Sequence, residues 1–478
     1  MLIKPVKINK FIKRSGYEIL FLILIFAYRL FIFSQVKLFL FSDFKAYLNG
    51  IEVIARNGSI PLVDVNFLYL ISYIGYFFKY ILGNISYFYI FNSLLATATS
   101  LIIYLLVKDV TNNRKAGLIV FILHIIYTEF IVFSSIFYSE IIIIFILSIV
   151  LLSISKSLKV KKSYFFLFLF LILVLVNFSF YLKGTFKYLW IIILIYSLFN
   201  LKNRKLFTRL LVLSLLLYGS RYILKKMHVL PHQTKVGGKD FVFFGHTLYG
   251  GDGGEGDFIY EENRQRYIEN LKKYLNEHNI DDPTMKDYNR FKMLEVRKFR
   301  QDHPFRWVQL QLYKISRLFG IVPETNSYRV LLSTTSGGHN LTIAGMLVFP
   351  IVVIILGIFF TLNPADLDKL MHNPFTVFLI LMAVYFVAAT SLYGHYQERY
   401  RMPIFVCFLI PLFAYNLTNF RIKDFFKSKK IVVWKTIMIL LVIFIWSTQV
   451  YHVLVTRRDR YLGPDSVINQ TISEEVRY

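Results

Sequence analysis

The first residue with a clear chemical possibility is Asp43, in the stretch FSDFKAYLNGIEVIARNG (Phe41–Gly58), which directly follows a long apolar run. A carboxylate within hydrogen-bond reach of an acceptor hydroxyl can act as a general base. The simpler interpretation is that Ser42 or Asp43 caps the helix that follows. The residues alone leave both roles open.

The residues after Asp43 alternate with helical periodicity between a polar and an apolar face. The polar face holds Lys45, Asn49, Glu52 and Arg56, and the apolar face holds Phe44, Leu48, Ile51 and Ala55. This pattern predicts an amphipathic helix that lies on the membrane with its apolar face down. The stretch Phe67–Leu82 is short for a span and carries Lys79, so we expect it to lie along the same surface.

A second cluster of reactive side chains lies in GHYQERYRMPI (Gly394–Ile404). Guanidinium groups bind phosphate oxygens in a planar, two-pronged way, so Arg399 and Arg401, assisted by His395, are candidate ligands of a lipid phosphate. The alternative is that these charges are membrane-boundary anchors or members of salt bridges.

Two acids are expected near the outer ends of the third and fourth apolar runs, Glu129 with His124 nearby, and Glu140. Acids within membrane spans are costly and indicate function by default. Glu140 is therefore a candidate functional residue. For Glu129 the alternative is a buried hydrogen bond between helices.

The glycine-rich segment VGGKDFVFFGHTLYGGDGGEGDF (Val236–Phe258) lacks the lysine-hydroxyl ending of a P-loop, which excludes a nucleotide site of that kind. We expect a loop that folds over an extended substrate. Its neighbouring aromatic residues, available to stack on sugars, are Tyr249, Phe258 and Tyr260. Its acids Asp252, Glu255 and Asp257 do not have EF-hand spacing, so no metal site is predicted, although a divalent cation stays open.

Composition shows what must hold these residues in place. The chain has 478 residues, of which 56% are hydrophobic, against about 45–50% in soluble domains. The excess falls in blocks of about 15–22 residues, which match a bilayer. The net charge of +26 collects in short loops, as in cytoplasmic loops of membrane proteins, and does not indicate nucleic acid. Cys407 is the single cysteine, which excludes a disulfide framework.

These blocks predict an all-α polytopic membrane protein with about eleven transmembrane helices and a mainly helical outer-face domain. The N-terminus is expected inside, followed by a retained anchor. The predicted spans are Tyr17–Phe41, Ile85–Val107, Gly117–Ser134, Ile136–Ile154, Phe165–Leu182, Tyr188–Leu201, Leu206–Tyr222, Leu341–Leu362, Phe375–Leu392, Ile404–Leu417 and Val432–Val450.

The predicted organisation has four parts. Residues 1–223 form an N-terminal membrane domain with a first outer loop at 42–84, and residues 224–340 form the outer domain. Residues 341–450 are C-terminal membrane helices, and residues 451–478 are an outer tail. Tyr260–Asn279, Met285–Gln301 and His303–Gly320 are predicted helices of the outer domain.

The order of one span, an outer "SD…Y…A…NG" stretch and surface helices resembles the GT-C glycosyltransferases, closest to the branch with protein O-mannosyltransferases and the lipid A aminoarabinose transferase. The "ERYR-P" stretch (Glu398–Pro403) is similar to one before a late span in that branch. The resemblance implies that Asp43 is the essential aspartate, and it gives Tyr47 and Glu398 sugar- or acceptor-binding roles. The acidic pair and the "kPP" element of the branch are absent here.

The resulting expectation is an inverting glycosyltransferase of the bacterial inner membrane, active on the outer face. It would move a sugar from a polyprenyl-phosphate donor to a hydroxyl of a cell-envelope glycan, glycolipid or protein, without a cofactor. Asp43 would be the base, and Glu140, Tyr47, Glu398 and Tyr249 would contact sugar or acceptor. The alternatives are an O-antigen polymerase or ligase that relies on Arg264, His246 and Arg329, and a lipid-linked glycan transporter or flippase.

Overall fold

The computed structural model describes residues 8–35, 43–59, 66–135, 137–159, 162–179, 182, 186, 188–227, 261–283, 285–305, 307–308, 312, 315, 318–319, 374–393, 398–419 and 429–451. The regular secondary structure of these residues is helical, and they contain no strand. The predicted all-α class is therefore confirmed for them.

The membrane part begins with α1 (Ile8–Gln35), α2 (Asp43–Asn57) and α3 (Asn66–Tyr76), which runs into a π-helical turn, π1 (Phe77–Ile81). It continues with α4 (Ser86–Thr111), α5 (Arg114–Ile126), α6 (Thr128–Ser134), α7 (Glu140–Lys159), α8 (Lys162–Ser179), α9 (Leu189–Leu198) and α10 (Arg204–Lys226). Later helices are α11 (Glu261–Glu277), α12 (Met285–Asp302), α13 (Pro374–Tyr393), α14 (Glu398–Ile404) with a second π turn, π2 (Phe405–Leu409), α15 (Ile410–Asn419) and α16 (Lys429–Tyr451).

Among the residues that the structure describes, four helical segments are long and apolar enough to cross a membrane, so the chain has the character of a membrane protein. They are Gly16–Ser34, Ser86–Thr111, Glu140–Lys159 and Arg204–Leu224. Five shorter apolar helices accompany them. The predicted count of about eleven spans stays a prediction, and the predicted span Leu341–Leu362 lies outside the described residues.

The third predicted span, Gly117–Ser134, is not one continuous helix. It breaks at Tyr127, whose φ of −72° and ψ of 82° are not helical, so α5 and the seven-residue α6 are separate. The residues around the break, Ile125 to Thr128, are β-branched or aromatic and have low helix propensity, which explains why the helix yields here.

One face of the helix bundle is defined by polar contacts between helix ends, and we call it the basic face. Arg114 donates to Glu18 from Nε and Nη2, at 2.9 and 2.7 Å. Lys156 donates to Asp109 at 2.8 Å, and Arg209 donates to a main-chain carbonyl at the end of α7 at 2.7 Å. These contacts place the starts of α1, α5 and α10 on the same side of the bundle as the ends of α4 and α7. The predicted topology, in which successive spans run in opposite directions, requires this arrangement.

Helix α7 lies at the centre of the bundle. Its sequence EIIIIFILSIVLLSISK is apolar on nearly all sides, and most of its residues are buried. A helix that is apolar all round is a core helix. Helices α4 and α8 pack against it, and it begins with Glu140 on the face opposite the basic face, which we call the site face.

The predicted helices Tyr260–Asn279 and Met285–Gln301 are confirmed as α11 and α12. Their apolar faces share a small core in which the rings of Tyr274 and Phe291 lie 5.2 Å apart. Of the third predicted helix, which starts near His303, the structure describes only scattered residues.

A close contact between α4 and α5 gives the first prediction. A Cβ added at Gly117 would lie 2.6 Å from the Tyr104 ring. The centre of this ring lies 4.9 Å from that of Phe121, on which it stacks, and the Tyr104 hydroxyl donates to Glu18 at 2.7 Å. Because this ring cannot move freely, we expect Gly117→Val to destabilise the protein by about 1–3 kcal/mol.

Thermal unfolding of the detergent-solubilised chain measures this effect. Gly219→Val is the matched control, since Gly219 is also helical but a Cβ there meets nothing within 4 Å. Equal unfolding temperatures for the two variants would show that α4 and α5 do not pack in this way.

Candidate functional site

Glu129 and Arg401 form a buried ion pair at the site face. Arg401 donates from Nε to Glu129 Oε2 at 2.9 Å, and its Nη2 donates to Oε1. Both side chains are only 1% exposed. The hydroxyl of Tyr127 also donates to Oε2, at 2.9 Å. The pair joins α6 to α14 across 272 residues of sequence, and both carboxylate oxygens accept hydrogen bonds.

Irregular backbone on both sides positions this pair. The break at Tyr127 starts α6 anew, so that Glu129 lies in its first turn. Pro403 lies inside α14 and has no backbone N–H, and the chain widens into π2 two residues later. The rings of Tyr127 and Phe405 lie 5.5 Å apart, so the break and π2 face each other. Such π turns are frequent at functional sites.

A second guanidinium lies close by, on α1. Arg29 is 0% exposed, and its Cζ lies 4.5 Å from the centre of the Phe130 ring. Within the part of the chain that the structure describes, none of its nitrogens has a hydrogen-bond partner. Phe130 directly follows Glu129 on α6, so both buried arginines lie beside this helix.

His124 belongs to the same region. Its Nδ1 lies 2.8 Å from the hydroxyl of Ser100 on α4, and its ring centre lies 5.4 Å from that of Phe130. The expected proximity of His124 to Glu129 is therefore realised through Phe130.

Helix α2 brings Asp43 toward this face. Tyr47, one turn after Asp43, is 2% exposed, and its ring lies 5.9 Å from Phe137 and 5.8 Å from Tyr138. Tyr138 precedes Glu140 by two residues, and Glu140 is buried at the start of α7. The first turn of α2 therefore lies beside the start of α7.

A polar contact holds the far end of α2. Glu52 accepts hydrogen bonds from Lys79 Nζ at 2.7 Å and from the Tyr80 hydroxyl at 2.8 Å, both on π1. These bonds hold the pKa of Glu52 below its usual value of 4.5, and the bond from Lys79 has the largest effect. The predicted amphipathic helix is thus present, and it is fixed to the segment after it.

The structure tests the placement of only some predicted site residues. Glu398 and Arg399 lie in α14 and Asp43 is the first residue of α2, but their side chains lie outside what is described. His395 and Tyr249 lie outside the described residues, as do the glycine-rich segment, His246 and Arg329, and only the backbone of Arg264 is described. No group of three potential metal ligands occurs within the described ranges.

For Arg401 the structure shows the salt-bridge alternative, with Glu129 as its partner. The sequence reasoning missed Arg29 and Tyr127. An arginine inside an apolar run of membrane length is itself a functional signal, so Arg29 could have been found. Tyr127 had no such signal, because its role depends on the break in the helix.

Removal of the acid tests the ion pair. Glu129→Gln would leave Arg401 buried without a counter-charge, and we expect a loss of about 3–5 kcal/mol. Thermal unfolding of the variant in detergent measures it. In Glu129→Gln combined with Arg401→Met neither charge remains, so most of that loss should be recovered. A double variant as unstable as the sum of the single variants would contradict the pairing.

The pH dependence of the α2–π1 contact can be predicted from Glu52. Because its pKa is lower in the folded chain, the ionised form stabilises the fold at neutral pH, and this contribution disappears as the pH falls below 4.5 and through the lowered value. The unfolding temperatures of wild type and Glu52→Gln should differ slightly at pH 7 and converge at acidic pH. A difference that does not change with pH would contradict the contact.

No protein-family model matches this chain, and no curated protein is similar to it. The functional argument is therefore carried by the residues and their geometry.

Proposed function

We propose that this protein is an integral-membrane inverting glycosyltransferase. It moves a sugar from a polyprenyl-phosphate donor to a hydroxyl of a cell-envelope glycan, glycolipid or protein, at the site face of the bundle. One observation carries the proposal. The short segment Tyr127–Glu140 contacts α2 and α14 and begins α7, and these helices hold the described residues that the sequence predicts for a glycosyltransferase site.

The contacts of this segment come from three directions. Its start holds Glu129, which binds Arg401 and so fixes α14, the helix of Glu398 and Arg399. Its end holds Phe137 and Tyr138, which pack on Tyr47 of α2. Its last residue is Glu140, the first residue of α7.

The proposed reaction needs one base and a cation. Asp43 takes the proton of the acceptor hydroxyl, whose oxygen attacks the anomeric carbon from the face opposite the phosphate. The bond between the anomeric carbon and the phosphate oxygen breaks, and the phosphate leaves with the electron pair, which inverts the anomeric centre. The N-terminus of α2 favours the ionised carboxylate that a base requires.

The arginines of α14 take different roles in this proposal. The guanidinium of Arg401 is committed to Glu129, so Arg401 acts as a positioning residue. Arg399, two residues earlier in the same helix, and His395 are the proposed ligands of the departing phosphate. Electrostatic stabilisation of the leaving group is the largest contribution expected from such a site.

The acceptor is proposed to bind at the outer segment. Leu318 near the end of this segment is 1% exposed, and the Phe319 ring lies 6.3 Å from Phe405 of π2. The end of the polar segment, at Leu318 and Phe319, therefore lies beside π2, and we propose that the acceptor approaches from there.

A transporter or lipid flippase is the second candidate, because one observation favours it. The α5–α6 break and π2 are two helix discontinuities that face each other beside buried charges. Discontinuous helices of this kind are common at the substrate sites of transporters. Unlike the usual examples, the break at Tyr127 contains no glycine or proline.

Sugar transfer from a panel of radiolabelled polyprenyl-phosphate sugars, in membranes that contain the full chain, tests the proposal. Asp43→Asn keeps the shape and the capping ability of the side chain but cannot take the proton. We expect transfer to fall by about 100-fold or more at equal expression.

Glu52→Gln is the matched control, since it makes the same chemical change on the same helix. It should leave transfer within about two-fold of wild type, because exposed ion pairs contribute little. Retained transfer in Asp43→Asn would make Asp43 a helix cap only. If wild type transfers no sugar but moves labelled lipid across the bilayer, the transporter candidate replaces the transferase.

A further inference from the structure

Arg29 lies in a membrane span but faces the protein interior. The apolar segment of α1 runs from Gly16 to Ser34, so Arg29 lies about 7.5 Å from its site-face end. Its neighbour Phe31 is 55% exposed and faces the surroundings of the bundle, whereas Arg29 is 0% exposed. An ionisable residue in this position is a functional-site hypothesis.

Among the described residues, no carboxylate forms an ion pair or a hydrogen bond with Arg29. Glu129 is the acid of the adjoining helix α6, and its two oxygens accept hydrogen bonds from Arg401 and Tyr127. Glu140, the other buried acid of the site face, forms no hydrogen bond with Arg29. The Phe130 ring at 4.5 Å attracts the cation but cannot neutralise it. Among the described residues, the Arg29 guanidinium therefore has no carboxylate bound to it.

A comparison within the chain shows what a structural arginine looks like here. Arg209 is also buried in a span, with its Cζ 5.1 Å from the Phe165 ring. It donates, however, to the main-chain carbonyls of Ser157 and Leu158, at 2.7 and 3.1 Å. A buried arginine that only supports the fold is expected to have such partners. Arg29 has none within the described residues.

We propose that Arg29 binds the phosphodiester of a lipid at the junction of α1 and α6. A phosphodiester carries one negative charge, which matches the single charge of the Arg29 guanidinium, and it accepts two parallel hydrogen bonds from that group. A polyprenyl-phosphate sugar and a phospholipid headgroup share this chemistry. If the bound phosphodiester is that of the sugar donor, the inference rests on the proposed function. The anion site itself does not depend on that function.

Lipid-dependent thermal stabilisation of the purified full-length protein in neutral detergent tests the proposal. The probes are a polyprenyl-phosphate hexose, phosphatidylglycerol and uncharged polyprenol. We expect the phosphodiester lipid to raise the unfolding temperature of wild type by about 3–5 °C at saturation. Arg29→Gln should lose this shift, and Arg209→Gln, the matched control, should keep it although its starting temperature is lower.

The lipid-free Arg29→Gln protein provides a second measurement. Because it removes a buried charge that has no partner, it should unfold at the same temperature as wild type or a higher one. A shift retained in Arg29→Gln, no shift with either phosphodiester, or a lipid-free Arg29→Gln protein as unstable as Arg209→Gln would each overturn the proposal.

A comparison of the two phosphodiester lipids shows which one the site binds, and this result is independent of whether the proposed function is correct. A shift with the polyprenyl-phosphate hexose alone assigns the site to the donor. A shift with phosphatidylglycerol, equal or greater, supports the anion site as a phospholipid site and leaves the transferase to be judged by its own transfer assay. A shift with polyprenol that matches the phosphodiesters would show that charge plays no part and would overturn the proposal.

Discussion

Ionised side chains buried inside a membrane bundle need polar partners from the protein or from a bound ligand, because water cannot solvate them there. Glu129 and Arg401 satisfy this constraint with two direct hydrogen bonds, and Tyr127 adds a third. The backbone around them adapts to this requirement. The break at Tyr127 ends one helix just before Glu129. The π turn at Phe405–Leu409 interrupts the regular α-helix shortly after Arg401. The architecture of the site face follows from that pair.

The two faces of the bundle use charge differently. On the basic face, the side chains of Arg114 and Lys156 are each 39% exposed, so their ion pairs are screened and contribute little stability. They gather helix ends on one side of the bundle. On the site face the charges are almost fully buried, and breaking a pair there is strongly destabilising. Among the described residues, the buried Arg29 guanidinium has no hydrogen-bond partner there, which is a cost that the fold alone does not explain.

Features that depend on local sequence could be predicted. Helix α2 and the outer helices α11 and α12 follow from apolar residues at three- and four-residue intervals, and the central helix α7 from its continuous apolar run. The break at Tyr127 could not be predicted, since its stretch is as apolar as an intact span. The partner of Arg401 lies 272 residues away and depends on packing that no local pattern encodes. Arg29 had a local signal, but its lack of a partner is visible only in the folded chain.

The most direct measurement of the account is an experimental structure of the full chain in a lipid nanodisc with a polyprenyl-phosphonate sugar, whose bond to the sugar cannot be transferred. The account predicts the phosphonate at the site face, within hydrogen-bond distance of Arg29 or Arg399, with the anomeric carbon directed toward the first turn of α2. A lipid bound at the basic face, or a sugar held away from Asp43 and Glu140, would contradict it.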